Sequence, residues 1–253
     1  MTKNILEIKN LSFSYHTLTG ETKVLNNVSF SVKYGEFISI VGPSGCGKST
    51  FLSLLSGMIK PEEGEIIFSD SPSPKMGYML QRDHLLEWRT IYQNTILGLE
   101  INKLLTSDNI NYVNTLIHEY GLSDFKDKKP GELSGGMKQR VALIRTLALK
   151  PEILLLDEPF SALDFQTRLI VSKDISDIIR KEHKTAILIT HDISEAIRLS
   201  DKVIVLSNRP ATIKNQMNIS LTEPGTSPLS YLEAPEYSSY FHKLWEDIRY
   251  EEK

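Results

Sequence analysis

The stretch Gly42-Pro43-Ser44-Gly45-Cys46-Gly47-Lys48-Ser49-Thr50 limits what this chain can fold into more than any other. It follows the apolar run Phe37 to Val41 and precedes a helical pattern of Phe51, Leu52, Leu54 and Leu55 that stops near Gly57. A G-x-x-x-x-G-K-S loop between a strand and a helix N-terminus is a phosphate-binding arrangement. Its glycines let backbone N–H groups turn inward onto phosphate oxygens, and the positive end of the helix dipole adds to their pull. In such a loop Lys48 is expected against the β- and γ-phosphates and Ser49 as a hydroxyl ligand of Mg²⁺. The competing reading is a Gly-rich turn that merely joins a strand to a helix.

Length and composition narrow the rest. The 253 residues are 40% hydrophobic, enough for a sizeable core, and read as one compact α/β domain with subdomains. Lys and Arg number 29 against 32 Asp and Glu, a net charge of −3, so no basic field points to a nucleic-acid partner. No stretch approaches the roughly 18 to 20 uninterrupted apolar residues that cross a bilayer, and the amino terminus lacks a signal peptide's basic-then-apolar layout. A soluble, cytosolic chain is expected. The single cysteine, Cys46, excludes an internal disulfide and a multi-cysteine metal site.

Short strands are expected at Ile5 to Ile8, Val28 to Val32 and Phe37 to Val41, with a polar hairpin around Thr19-Gly20-Glu21. Tyr15, an aromatic in a polar setting, can stack on a purine or be a satisfied, half-buried tyrosine; position alone leaves both open. Strands Glu65 to Phe68 and Met76 to Leu80 follow, separated by a surface loop at 69–74, and the second ends at Gln81. The pattern then turns helical, with spaced apolar residues from Trp88 to Leu105 and a helical face of Ile110, Val113, Leu116, Ile117 and Tyr120 ending at Gly121. Leu133-Ser134-Gly135-Gly136-Met137-Lys138-Gln139 opens another amphipathic helix, and a Ser-Gly-Gly turn there is a second anion-binding candidate. Ile153 to Leu156 is apolar throughout, as in a strand buried on both faces, and carries Asp157 and Glu158 at its carboxyl end, where ligands bind in such sheets. Ser161-Ala162-Leu163-Asp164 leads to a helix; Thr185 to Thr190 is a strand ending in His191, and Asp192 with Glu195 reads as a capping box. After the strand Val203 to Leu206, prolines break the chain until a last amphipathic helix carrying Tyr237, Phe241, Leu244, Trp245 and Ile248, whose aromatic stripe reads as packing.

In this order the motifs resemble the ATP-binding cassette (ABC) family over essentially the whole chain. Tyr15 is similar to its adenine-stacking loop, Gly42 to Thr50 to Walker A, Gln81 to the Q-loop and Leu133 to Gln139 to the signature. Ile153 to Glu158 resembles Walker B, Ser161 to Asp164 the D-loop, and His191 the switch histidine. The resemblance implies a P-loop (RecA-like), mostly parallel sheet core at 1–81 and 151–210. It also implies an antiparallel β subdomain, an inserted helical subdomain at 82–150 and a C-terminal extension at 211–253, all within a single ATPase domain spanning 1–253.

The same resemblance implies function. Two copies stack head to tail, each ATP held between Gly42, Pro43, Ser44, Gly45, Cys46, Gly47, Lys48, Ser49 and Thr50 of one copy and Ser134, Gly135 and Gly136 of the other. Tyr15, Gln139 and Asp164 complete the nucleotide contacts. Asp157 holds Mg²⁺ with Ser49 and Gln81; Glu158 polarises the attacking water; Lys48, Gln81 and His191 serve the γ-phosphate and the water. The expected role is the ATP-hydrolysing subunit of an importer at the cytoplasmic face of the membrane, a homodimer energising separate membrane permease subunits fed by an extracytoplasmic solute-binding protein. Leu85 to Trp88, Phe160 to Arg168 and Ser207-Asn208-Arg209-Pro210 resemble the nitrate, sulfonate, taurine and thiamine-precursor importers. Glu87 and Leu80 stand where those relatives usually carry proline and phenylalanine. A cassette acting mechanically on DNA, ribosomes or an iron–sulfur scaffold, and a small-molecule kinase, are the competing classes. Lastly, the place of Cys46 at a helix start beside Lys48 predicts a thiolate more available than usual and protected by MgATP, against the alternative of an inert apolar filler.

Overall fold

The computed structural model describes residues 3–18, 20–69, 74–222 and 229–249. Thr19 of the expected hairpin, residues 70–73 of the expected surface loop, and Pro224 and Pro228 lie outside the described residues. The strands are β1 (Asn4–Thr17), β2 (Gly20–Lys33), β3 (Phe37–Val41), β4 (Glu63–Phe68), β5 (Met76–Met79), β6 (Ile153–Asp157), β7 (Thr185–Ile189), β8 (Lys202–Leu206) and β9 (Ile213–Asn218). The helices are α1 (Lys48–Leu55), α2 (Ile91–Thr95), α3 (Leu97–Ile101), α4 (Ser107–Glu119), α5 (Gly135–Leu147), α6 (Phe165–Lys181), α7 (Ile193–Leu199) and α8 (Tyr237–Arg249). Met1–Pro74 with Glu182–Lys253 forms one compact unit and Lys75–Lys181 a second.

In the first unit β3 lies between β7 and β8, parallel to both, and β9 runs antiparallel along β8. Every residue of β3 and β7 is buried, as the uninterrupted apolar runs of a parallel sheet covered on both faces require. The two polar exceptions are both bonded: Ser39 Oγ lies 2.5 Å from Ser200 Oγ, and Thr185 Oγ1 accepts from Gly35 N–H at 3.0 Å. A separate antiparallel sheet, in the order β2-β1-β4, pairs Leu6 with Val32 and with Phe68. The long hairpin corrects the expectation of short strands. β1 and β2 each run 14 residues through polar stretches, because Asn10 and Asn27 take left-handed backbone (φ 49° and 53°) at register shifts. Asparagine tolerates that conformation, and Ser29 and Ser12 accept the Asn10 and Asn27 N–H groups at 2.7 and 3.1 Å. β9 was also unexpected: only Met217 of its six residues is buried, so the apolar alternation that marks a strand is missing.

In the second unit β5 and β6 run parallel, with Met79 opposite Leu156. A Cβ on Gly77 of β5 would come within 2.5 Å of Thr146 of α5, so the helix lies directly on the strand. Buried residues of α5 and α6 supply the helical core. The expected helical stretch from Trp88 to Leu105 is two five-residue helices, α2 and α3, interrupted at Ile96 (φ −91°, ψ 0°). Thr90 caps α2 in a reciprocal box with Gln93. α4 is capped by Thr106, and the chain turns out of it through Gly121 at φ 68°. At α7 Asp192 accepts from Glu195 N–H at 3.1 Å, the forward half of the expected box.

Candidate functional site

Within the first unit, β3 delivers the chain directly into the phosphate loop. Gly45 (φ 74°) and Gly47 (φ 120°) hold backbone that side-chain-bearing residues rarely adopt. The loop is also tightly enclosed: a Cβ on Gly42 would lie 2.8 Å from the Leu206 carbonyl, and one on Gly47 would lie 2.5 Å from Val24 Cγ1. Lys48 is 7% exposed, and its Nζ donates to the Gly42 and Pro43 carbonyls at 2.8 and 2.9 Å. The ammonium is thus curled over the loop, its desolvation offset by loop carbonyls. No side chain caps α1, and its first turn carries no acidic residue. The cradle therefore combines a desolvated cation with helix-start N–H groups that no side chain of the cap neutralises, which is the chemistry of an anion site.

Cys46 corrects an expectation. It is 2% exposed, and burial pushes its thiol above the ordinary value, outweighing the lowering effects of the Lys48 charge and the loop N–H bonds. It is the apolar filler, with its sulfur turned into the fold. Tyr15 begins the exposed end of β1, is 44% exposed and stacks edge-on against Phe13 at 5.0 Å. Its hydroxyl lies 3.3 Å from Thr50 Oγ1, tying the aromatic to the first turn of α1. The exposed His191 follows β7, whose Ile189 is opposite Ile40 of β3. Both strands end at the same edge, so His191 and the phosphate loop leave one side of the sheet.

In the second unit, Gln81 and Asp157 leave the carboxyl ends of the neighbouring strands β5 and β6. The Tyr78 hydroxyl donates to Asp157 Oδ2 at 3.3 Å. Glu158 holds left-handed backbone (φ 43°), a strained geometry that tends to cluster at working sites. Ser161 Oγ donates to the Glu158 carbonyl at 3.0 Å and accepts from Gln81 Nε2 at 3.3 Å, so one hydroxyl links the two segments. Ser134 caps α5, accepting from Met137 N–H at 3.4 Å, and it and Gly135 are exposed. Gly136 is buried where a Cβ would lie 2.8 Å from Val171 Cγ2. Gln139 is 3% exposed on the inner face of α5, its Oε1 without a partner among the described residues. Asp164 accepts from Thr167 N–H at 3.1 Å, and its hydrogen bonds to Thr167 hold its carboxyl below the usual range.

A family model described as ABC transporter matches residues 25–161. The chain belongs to the ABC transporter family. It is 41% identical over 99% of its length to an uncharacterized ABC transporter ATP-binding protein, YtlC, of Bacillus subtilis, covering 98% of that relative. It is 36% identical to the nitrate transport protein NasD of Klebsiella oxytoca, with 88% of each chain covered. The taurine import ATP-binding protein TauB of Roseobacter denitrificans is 37% identical, over 87% of this chain and 84% of that one. Among solved structures, cbiO1 from Clostridium perfringens, part of the ABC transporter complex cbiONQ, aligns with TM-score 0.76 at 27% identity, covering 96% of this chain and 95% of that one. A dimeric ATP-binding cassette in a post-hydrolysis state with ADP and Pi aligns with TM-score 0.70 at 29% identity, covering 85% and 99%. The cassette is an ATPase of the α/β class that these structures share. Among the described residues no helix is long and apolar enough to cross a membrane.

Tyr78 beside Asp157, Phe13 beneath Tyr15 and the Ser161 link were missed in the sequence. Tyr78 and Asp157 are 79 positions apart and Gln81 and Ser161 are 80 apart, so nothing local signals either contact, whereas the i, i+2 spacing of Phe13 and Tyr15 on one strand does place them on the same face.

Proposed function

We propose that the cassette is the ATP-hydrolysing subunit of an importer, working as a head-to-tail dimer on separate membrane subunits at the cytoplasmic face. The observation that supports this most is the buried Lys48, held by loop carbonyls beneath a helix start that no side chain caps. The relatives named for nitrate transport and taurine import support the direction of transport.

The donor chemistry fits a magnesium nucleotide. Loop N–H groups and Lys48 suit phosphate, and the Ser49 hydroxyl and Asp157 carboxylate are the hard oxygen donors that Mg²⁺ takes, with Gln81 as a further oxygen. Bound there, Mg²⁺ neutralises charge on the phosphates. Tyr15 stacks on the base, Glu158 orients the attacking water and takes up its proton, and His191 contacts the γ-phosphate. Ser134, Gly135 and Gly136 act on the nucleotide held by the other copy, with Asp164 beside them and Gln139 behind that turn. Residues 82–150 form the helical subdomain that receives the membrane subunits, and 211–253 the C-terminal extension.

The docking surface proposed for the membrane subunit is the segment from Arg82 to Arg89. Trp88 is 73% exposed, which removes the alternative of a tryptophan buried in the cassette. The segment is held rigidly. The buried Asn94 bonds both the N–H and the carbonyl of Leu86, at 2.8 and 3.1 Å, while Arg145 donates to the Asp83 and His84 carbonyls at 2.6 and 2.8 Å. Affinity purification of the cassette from native membranes tests the role: an integral membrane protein retained in stoichiometric amount supports it, and a cassette recovered without one contradicts it.

A further inference from the structure

The motif Ser207-Asn208-Arg209-Pro210 has no role in the reading above, yet it is built against the phosphate loop. Ala211 N–H donates to the Val24 carbonyl at 2.8 Å and Asn26 N–H to the Ala211 carbonyl at 2.9 Å, stitching the segment to β2. Val24 of that strand is also the residue that covers Gly47. Ser207 and Thr212 close the base of the loop: Ser207 N–H donates to the Thr212 carbonyl at 3.0 Å, and Thr212 N–H to Ser207 Oγ at 2.9 Å. Eight backbone and side-chain groups thus fix a short loop whose tip is an exposed arginine.

The guanidinium of Arg209 is directed at the cradle. Its Nη2 lies 3.5 Å from where a Cβ on Gly45 would sit, and its charge reaches the Cys46 thiol, favouring the thiolate. Among the described residues no hydrogen bond or ion pair engages it. Lys48 is different: buried, and already bonded to loop carbonyls. A planar guanidinium offers five N–H donors in a fork that matches phosphate oxygens and keeps its charge at any working pH.

We propose that Arg209 is a second cationic contact for the polyphosphate chain of the bound nucleotide, recruited across Gly45. The assignment rests on the phosphate-loop reading and adds to it a residue outside the loop. Its contribution is to affinity for the phosphates and is independent of the base.

Equilibrium titration with ATP and with inorganic pyrophosphate, at two ionic strengths, tests it on the wild type and on Arg209→Met, Arg209→Lys and Lys48→Ala. Methionine keeps most of the apolar stem and removes the charge. Arg209→Met is expected to weaken both ligands by about tenfold, with a shallower salt dependence than the wild type. Arg209→Lys, which keeps the charge and loses the fork, is expected to fall between the wild type and Arg209→Met for both ligands. Wild-type affinity in Arg209→Met overturns the assignment, because the stem alone then suffices, and so does a loss seen with ATP but not with pyrophosphate. If Lys48→Ala loses ATP while Arg209→Met keeps it, only the Arg209 assignment fails; if both bind ATP as the wild type does, the phosphate-loop reading fails with it.

Discussion

Lys48 Nζ donates to the Gly42 carbonyl at 2.8 Å, across the loop whose ends the two residues mark. The cation is therefore stored inside its own cradle, and a phosphate chain has to compete with loop carbonyls for it. Lys48→Ala is expected to abolish the rise in melting temperature that ATP or pyrophosphate gives the wild type, since only a ligand that binds the folded state stabilises it. Thermal denaturation with each ligand measures this. An undiminished shift in the variant contradicts the proposed role of Lys48.

Cys46 is expected to alkylate slowly. Burial leaves the thiol 2% exposed and raises its pKa, so at pH 7 to 8 the thiolate fraction is below that of a free thiol, whose pKa is about 8.5. The rate with iodoacetamide should stay well below that of a model thiol across this range and should climb on addition of denaturant. Rapid labelling of the native protein contradicts the buried placement.

Asp164 offers a test by pH. Its folded-state pKa is depressed, chiefly by hydrogen bonds to Thr167. Its stabilising contribution is therefore fully present above the ordinary aspartate value of about 3.9 and is lost as pH falls through the lower, folded value. Asp164→Ala is expected to lower the melting temperature at pH 7, and the gap from the wild type should close on acidification through that window. A gap that stays constant down to pH 2 contradicts the assignment.

Much of this was legible in the sequence because it is local. The interior strands β3, β6 and β7, buried throughout except at Asp157, came from largely apolar runs, and Ser134 and Asp192 were recognised as helix starts from residue type and spacing. What escaped was set by partners distant in the chain. The middle of β1 reads as a loop until β2 supplies its hydrogen bonds. β9 is a polar edge strand specified by β8. The local cues at Cys46, a helix start and a neighbouring lysine, pointed to reactivity, but desolvation by the surrounding fold outweighs them.

Trp88→Ala is expected to weaken assembly with the membrane subunit by at least about 2 kcal/mol, the loss typical of an aromatic hot spot. The isolated cassette should keep its melting temperature, because the indole is 73% exposed. Quantitative pull-down beside thermal denaturation separates the two effects; unchanged assembly contradicts the docking surface.

The most direct test of the central claim is ATP turnover and oligomeric state of Glu158→Gln. Glutamine keeps the shape of the side chain and cannot take up the proton of the attacking water, so hydrolysis should fall by about 10² to 10⁴, the range for a lost general base. ATP binding should persist, and size-exclusion chromatography with ATP should show a dimer that the wild type, which turns its nucleotide over, does not accumulate. Wild-type hydrolysis by Glu158→Gln, or a monomer at saturating ATP, contradicts the account.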